Sequence, residues 1–274
     1  MTIKDTIRKY TNELKLVTHI PAKEVEILML HLLEKNTIWL HLNYNVEFEK
    51  EKELEVLVKK RATNYPLEYI INKASFYGEM FIVKEGVLIP RPETEILVEN
   101  AIEILKDKKE IKVLEIGTGS GIISVMLAML IENIKIIAVD INEKALDLAK
   151  QNAIKHGVEN KIEFRLSNLY ENVQENDIFM TISNPPYIAN NYILPTNVKY
   201  EPSNALFGGV VGDELLKDII KATSEKKIPY LLCEMGYDQK TPLENYFKEF
   251  NVDSFSFYKD YESFDRGFTL KFEN

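Results

Sequence analysis

From Ile111 onward, short apolar runs alternate with amphipathic stretches, and this rhythm constrains the fold more than any other feature of the chain. The expected strands are Lys112–Ile116, Lys135–Val139, Ile162–Leu166, Ile178–Ile182, Tyr230–Glu234, Ser254–Tyr258 and Phe268–Phe272. Helices are expected near 120–131, 143–156, 213–226 and 239–250. Strands alternating with helices predict an α/β domain with an open, mostly parallel sheet covered by helices on both faces. The last two strands have no helical pattern between them, so they are expected to form an antiparallel hairpin. Ligands of such sheets bind at the carboxyl ends of the strands.

The first seventy residues have a different character. Ile3, Ile7, Tyr10, Leu14 and Val17 recur at helical spacing, Pro21 opens a second helix, and a charged third helix runs from about Glu47 to Arg61. Asn64-Tyr65-Pro66 breaks it. Phe76-Tyr77-Gly78 followed by Met80–Val83 suggests a short hairpin, and "LIPRPETE" leads into a helix from Glu95 to about Lys106. The expected organisation is a helical domain over 1–72, a hairpin linker over 73–90 and an α/β domain over 91–274.

Composition narrows the function. The 274 residues carry a formal net charge of −9, which argues against broad binding to nucleic acid. The single cysteine, Cys233, forms no intrachain disulfide and is expected to be inert in a buried strand. No Cys/His cluster has zinc spacing, so no metal is expected. No stretch resembles a signal peptide or is apolar for long enough to span a membrane, so a cytoplasmic protein is expected. A monomer is the working expectation for its assembly.

Two loops carry the chemistry. In "VLEIGTGSGIISVMLA" a strand, a turn with three glycines and a helix follow one another. Gly117, Gly119 and Gly121 let the backbone turn sharply beside a ligand. Asp140 ends the next strand, about 20 residues on, where a carboxylate accepts ribose hydroxyls. Glu115, just before the loop, would repel a pyrophosphate and suits a cationic ligand. S-adenosylmethionine, with its sulfonium and ammonium, fits this better than NAD.

The second loop is "SNPPY". Asn184 stands at the carboxyl end of the fourth strand, and Pro185 and Pro186 have fixed φ and no N–H. The Asn184 side-chain oxygen and the Pro185 carbonyl are two acceptors for one NH2 group, and Tyr187 offers a ring to the plane that carries it. This suits methylation of a planar nitrogen, whose growing positive charge the acceptors stabilise. The turn alone leaves open whether that nitrogen belongs to an amide or to a nucleic-acid base.

The longer segments resolve this by resemblance. "PLEYIINKASFYGEMF", "VLIPRPETEILVE", "YEPSNALFGGVVGDELL" and "KDYESFDRGF" resemble those of the HemK/PrmC-type protein-(glutamine-N5) methyltransferases, over nearly the whole chain. The resemblance implies a Rossmann-like class I S-adenosylmethionine-dependent methyltransferase domain behind a helical substrate-recognition domain. It implies methylation of the glutamine in the Gly-Gly-Gln loop of class I peptide chain release factors, with S-adenosylhomocysteine as product and no direct nucleic-acid partner. Gly117, Thr118, Gly119, Ser120 and Gly121 would line the donor, and Asp140 would hold its ribose. Asn184 and Pro185 would grip the glutamine amide, Pro186 and Tyr187 would complete its slot, and Asn184 would also lie beside the donor. Where the family has Ser-Asp-aromatic, this chain has Ser167-Asn168-Leu169, expected to keep an acceptor and apolar packing at the donor's adenine end.

Smaller expectations concern single residues. Arg91 lines the site entrance or makes a surface ion pair. Glu201 could order the loop over the substrate, with a structural role preferred; Asp265 and Arg266 are expected to pair with each other, and His156 to act as a helix-capping cation.

Overall fold

The structure is a computed structural model, and it describes residues 1–273. The chain divides into two compact units. One comprises Met1–Lys73 together with Leu194–Tyr200; the other begins at Ala74, runs to Ile193 and resumes at Glu201.

The first unit is helical: α1 (Ile3–Leu14), α2 (Pro21–Leu33), α3 (Thr37–Leu42), α4 (Glu51–Ala62) and α5 (Leu67–Ile71). Thr2 caps α1 by accepting from the Asp5 amide, and the helix buries Ile3, Thr6, Ile7, Tyr10 and Leu14 along one face. Helix α4 starts with Glu51 and Glu53 and ends with Lys59, Lys60 and Arg61, matching the helix dipole at both ends. Arg61 is buried and reaches Glu24 of α2 with two hydrogen bonds, 2.6 and 3.1 Å long. Loss of one partner from such a buried pair costs on the order of 3–5 kcal/mol. Segment Leu194–Tyr200 counts with these helices. The Tyr200 hydroxyl donates to the Thr63 carbonyl, and its ring packs edge-on against Tyr65, 5.1 Å between centroids. Helices α3 and α5 were not expected; they are only 6 and 5 residues long, too short for periodicity to reveal.

A two-stranded sheet follows, β1 (Lys73–Phe76), which lies in the second unit from Ala74 on, and β2 (Glu79–Ile82). Tyr77 and Gly78 join them, both with positive φ, as a two-residue hairpin turn demands. Helix α6 (Glu93–Leu105) follows. Then come β3 (Ile111–Ile116), α7 (Ile122–Leu130), β4 (Ile134–Asp140), α8 (Glu143–Lys155), β5 (Ile162–Leu166), β6 (Met180–Ser183), the short β7 (Ile188–Ala189) and β8 (Phe207–Gly209), α9 (Glu214–Glu225), β9 (Tyr230–Glu234), α10 (Lys240–Phe247), β10 (Val252–Lys259) and β11 (Asp265–Phe272).

Seven strands form one sheet in the order β10-β11-β9-β6-β3-β4-β5. Strands β9, β6, β3, β4 and β5 pair in parallel; β11 is antiparallel to β9 and β10 to β11. The expected C-terminal hairpin is therefore present. Alternate residues of the central strands feed two cores. Val113, Ile136, Ala138 and Met180 pack with α6, α7 and α8. Leu114, Ile116, Ile137 and Val139 pack with α9 and α10. A strand buried on both faces reads as a continuous apolar run, which is why β3 and β4 stood out in the sequence. From β3 the chain winds outward to β4 and β5, and from β6 it winds the other way to β9. The crevice lies where the direction reverses, between the carboxyl ends of β3 and β6. No helix among the described residues is long and apolar enough to cross a membrane.

Two smaller expectations are corrected. Asp265 and Arg266 do not pair with each other: Arg266 binds Asp260 at 2.8 Å and Asp265 lies 3.4 Å from Lys240. Neighbouring residues of a strand point to opposite faces, so the pairing was geometrically excluded. His156 does end α8, but its side chain is buried against Phe81. Burial lowers its pKa, which favours the neutral ring over a capping cation.

Candidate active site

A cavity opens at the crevice. Its walls are the stretch from Gly86 to Arg91, the glycine loop from Glu115 to Ser120, Asp140, Ser167 to Leu169, and the turn from Asn184 to Pro186.

The glycine loop is shaped by positive φ at Gly117, Gly119 and Gly121. Gly121 starts α7, and a Cβ there would lie 2.9 Å from that of Ala149, so this glycine serves helix packing and is not a cavity wall. The amides of Gly117 and Thr118 both donate to the Val139 carbonyl, fastening the loop to β4. Beneath it lies Glu115, only 1% exposed. One of its oxygens accepts from the Thr118 hydroxyl (2.8 Å), the Ser124 amide (3.1 Å) and the Ser124 hydroxyl. The other oxygen, Oε1, is buried without a hydrogen-bond partner. Burial pushes this carboxyl up to about 7, against the three hydrogen bonds that pull it down. A cation reaching Oε1 would supply its missing partner and hold it ionised.

Asp140 ends β4, as the spacing predicts. Its two oxygens accept from the Gly119 amide (2.9 Å) and the Asn142 amide (2.9 Å). Burial raises its pKa, opposed by these amide bonds. Each oxygen retains a lone pair for a hydroxyl donor. Asn168 donates to Glu171 (2.9 Å) through its side-chain nitrogen, which leaves its oxygen as the available acceptor. Leu169 adopts a positive φ of 46°, held in place by the Ser167 hydroxyl, which donates to the Leu169 carbonyl.

The Asn184 turn leaves β6 beside the glycine loop. The Asn184 side-chain nitrogen donates to the Thr94 hydroxyl oxygen at 2.9 Å. Thr94 in turn donates to Glu234 at 2.7 Å. Among the described residues no group donates to the Asn184 oxygen or to the Pro185 carbonyl. Tyr187 departs from its expected place: it is not a wall of the cavity, and its hydroxyl turns inward to donate to Glu234 at 2.8 Å. Gln239 is buried and spans from the Gly236 amide to the Tyr187 carbonyl, fixing the end of the turn. Glycines form the floor under the turn, not under the cavity: a Cβ on Gly208 would collide with the Pro186 carbonyl, and one on Gly212 would sit 2.6 Å from the Tyr187 oxygen. The short β7–β8 pair holds this floor against the turn.

Arg91 lines the cavity and pairs with Glu201, but that partner is buried, so this is not the surface ion pair weighed for it. Glu201 is buried and also accepts from the Ile89 amide at 3.0 Å, so it straps the Gly86–Arg91 stretch over the cavity. Sequence reasoning missed Thr94, Glu234, Gln239, Gly208 and Gly212. Glu234 left one legible sign, a carboxylate closing an apolar strand at the ligand edge.

A sheet reversing direction between β3 and β6, a glycine loop over a buried carboxylate, and an acidic residue ending the next strand define a class I methyltransferase. Two family models match: a methyltransferase small domain over residues 93–198 and the PrmC N-terminal domain over residues 5–71. The release factor glutamine methyltransferase of Aquifex aeolicus is 34% identical over 274 residues, covering 96% of this chain and 93% of that protein. The one from Fusobacterium nucleatum is 36% identical over 255 residues, covering 90% and 72%. The chain belongs to the release factor glutamine methyltransferase family. Solved structures agree on the fold alone. The human Mettl16 catalytic domain, in complex with an RNA hairpin, superposes with a TM-score of 0.56 at 15% identity, covering 69% of this chain and 74% of that one. A ribosomal protein L11 methylase from Lactobacillus delbrueckii gives 0.50 at 20% identity, covering 70% and 84%.

Proposed function

We propose that this protein transfers the methyl group of S-adenosylmethionine to the side-chain amide nitrogen, N5, of the glutamine in the Gly-Gly-Gln loop of class I release factors. The observation that carries the reading is the Asn184 amide. Its nitrogen is engaged by Thr94, and its oxygen, like the Pro185 carbonyl, accepts from no described group at a cavity that both residues line with the glycine loop.

The donor, when bound, supplies an electrophilic methyl on a sulfonium. The residues fit such a molecule: Oε1 of Glu115 is a buried acceptor with no partner, placed for a cationic group. Gly117, Thr118, Gly119 and Ser120 would line the methionine and ribose portions, with Asp140 for the ribose hydroxyls. Asn168 and Leu169 would meet the adenine.

A glutamine amide nitrogen is a weak nucleophile because its lone pair is delocalised. Asn184 and Pro185 would accept its two N–H groups, fix the amide plane and hold the nitrogen toward the methyl. As nitrogen attacks, positive charge grows on it, and both oxygens stabilise that charge more strongly than they stabilise the ground state. The alkylated nitrogen is acidic and releases its proton without a strong base. Tyr187 would brace the turn from beneath. The protein acts in the cytoplasm, where its substrates work.

The experiment is mass spectrometry of a release factor after incubation with enzyme and donor. One added methyl, mapped to the Gly-Gly-Gln glutamine and absent from the Gln→Ala release factor, is the expected result. Equal labelling of both proteins refutes the reading.

A further inference from the structure

Asn184 can face a substrate with either end of its amide, and only one end is useful. Its oxygen accepts the substrate's N–H, whereas its NH2 would oppose it. Something in the fold must choose.

We propose that Glu234 makes this choice: it is a positioning residue that acts through Thr94 to fix the orientation of the Asn184 amide, and through Tyr187 to pin the other end of the same turn. The inference rests on the role proposed for Asn184.

An ionised carboxylate only accepts hydrogen bonds, and a threonine hydroxyl has one proton to give. Thr94 gives it to Glu234 Oε2, 2.7 Å away. The Thr94 oxygen then has only lone pairs to offer Asn184, 2.9 Å away. Asn184 must answer with its NH2, because rotating the amide by half a turn would set two acceptors against each other. Its oxygen is thereby committed to the cavity. The second Glu234 oxygen takes the Tyr187 hydroxyl at 2.8 Å. One buried carboxylate thus holds two residues of the turn, and it reaches them from a different strand. Glu234 is 1% exposed, so water does not compete for these bonds.

The polarity reverses if Glu234 takes a proton. A protonated Glu234 can donate to Thr94, whose hydroxyl can then point at Asn184 and release the amide to turn. Burial raises the Glu234 pKa; Glu93 of α6 raises it further, and Arg266 of β11 lowers it. The other groups on this cluster are Tyr187, Tyr258 of β10 and Cys233 of β9, all of which burial keeps neutral. Turnover at saturating donor is therefore present at higher pH and lost as pH falls through the raised Glu234 pKa.

The test compares Glu234→Gln, Thr94→Val, Thr94→Ser and Asn184→Ala by methyl transfer to a release factor, with donor affinity measured separately. Glu234→Gln and Thr94→Val should lower kcat by roughly 10- to 100-fold, as loss of a supporting hydrogen bond does, with donor Kd within about threefold. Thr94→Ser keeps the hydroxyl and should return kcat to within about threefold of wild type. The acid limb of the kcat profile should disappear in Glu234→Gln. The proposal is overturned if Asn184→Ala loses turnover while Glu234→Gln and Thr94→Val keep it; the role of Asn184 would then survive without its positioner. It is equally overturned if Thr94→Ser fails to rescue, or if kcat and donor affinity fall together. Full activity of Asn184→Ala would remove both this inference and the reading beneath it. Should Glu234→Gln fail to fold, the Thr94→Val and Thr94→Ser pair decides alone.

Discussion

The glycine loop and the Asn184 turn leave neighbouring strands of one sheet, and each rests on a buried carboxylate. The two carboxylates are used differently. Glu115 gathers its hydrogen bonds on one oxygen and leaves the other unpartnered beside the cavity. Glu234 commits both oxygens to hydroxyls of the protein. On the proposed reading, one side of the cavity offers a carboxylate oxygen to a charged donor. The other side keeps its carboxylate inside and would present only the Asn184 amide dipole, suited on the same reading to a neutral amide. The difference teaches that one device, a carboxylate near the end of a buried strand, would serve affinity or alignment according to which of its oxygens the protein satisfies.

The sharpest way to break this comparison is Asn184→Ala. It should reduce single-turnover methyl transfer by roughly 10²–10³-fold, the usual loss for one oriented group at a developing charge. Donor affinity, measured by titration calorimetry, should hardly move. A large loss of donor affinity would merge the two sides into one. Next comes Glu115→Gln, which should weaken donor binding on the order of tenfold or more by removing a charge-assisted partner, with a smaller effect on turnover at saturation. A pure turnover defect would reverse the assignment. Gly208→Ala should destabilise the protein by about 1–3 kcal/mol, because the new methyl overpacks the floor under Pro186; thermal melting reads this, and an unchanged Tm would show that the floor yields. The smallest effect concerns pH. Glu115 has a raised pKa of about 7, and a bound cation favours its ionised form. Donor binding should release a proton and tighten as pH rises, by about tenfold between pH 6 and 8. The dependence should vanish in Glu115→Gln. A wild-type Kd flat across that range would mean that the ligand does not meet this carboxyl.

Much of the scaffold was legible because it obeys local rules. The parallel strands betray themselves by unbroken apolar runs, and the glycine loop by spacing that permits positive φ. Asp140 and Asn184 were singled out because each stands at the end of a strand, on the edge where ligands of such sheets bind. What escaped was long-range. Thr94 lies 90 residues from Asn184 and 140 from Glu234, so no local pattern joins them. Nothing local marks Gly208 and Gly212, and only the Pro186 and Tyr187 carbonyls explain them. Tyr187 is a different case. Its ring suggested a wall of the site, but its hydroxyl finds a buried carboxylate and draws it into the sheet. A polar tip on an aromatic side chain is decided by its partner, and the partner is invisible in sequence.

The chain's return to the helical unit between Leu194 and Tyr200 bears on how the protein can be cut and recombined. Although the first 73 residues look like a detachable module, their unit is completed by a segment encoded well over a hundred positions later. Cleavage after Lys73 would strand Tyr200 without Tyr65 and the Thr63 carbonyl. A swap of N-terminal modules between relatives would need to carry two pieces of gene, so these modules should exchange as matched pairs.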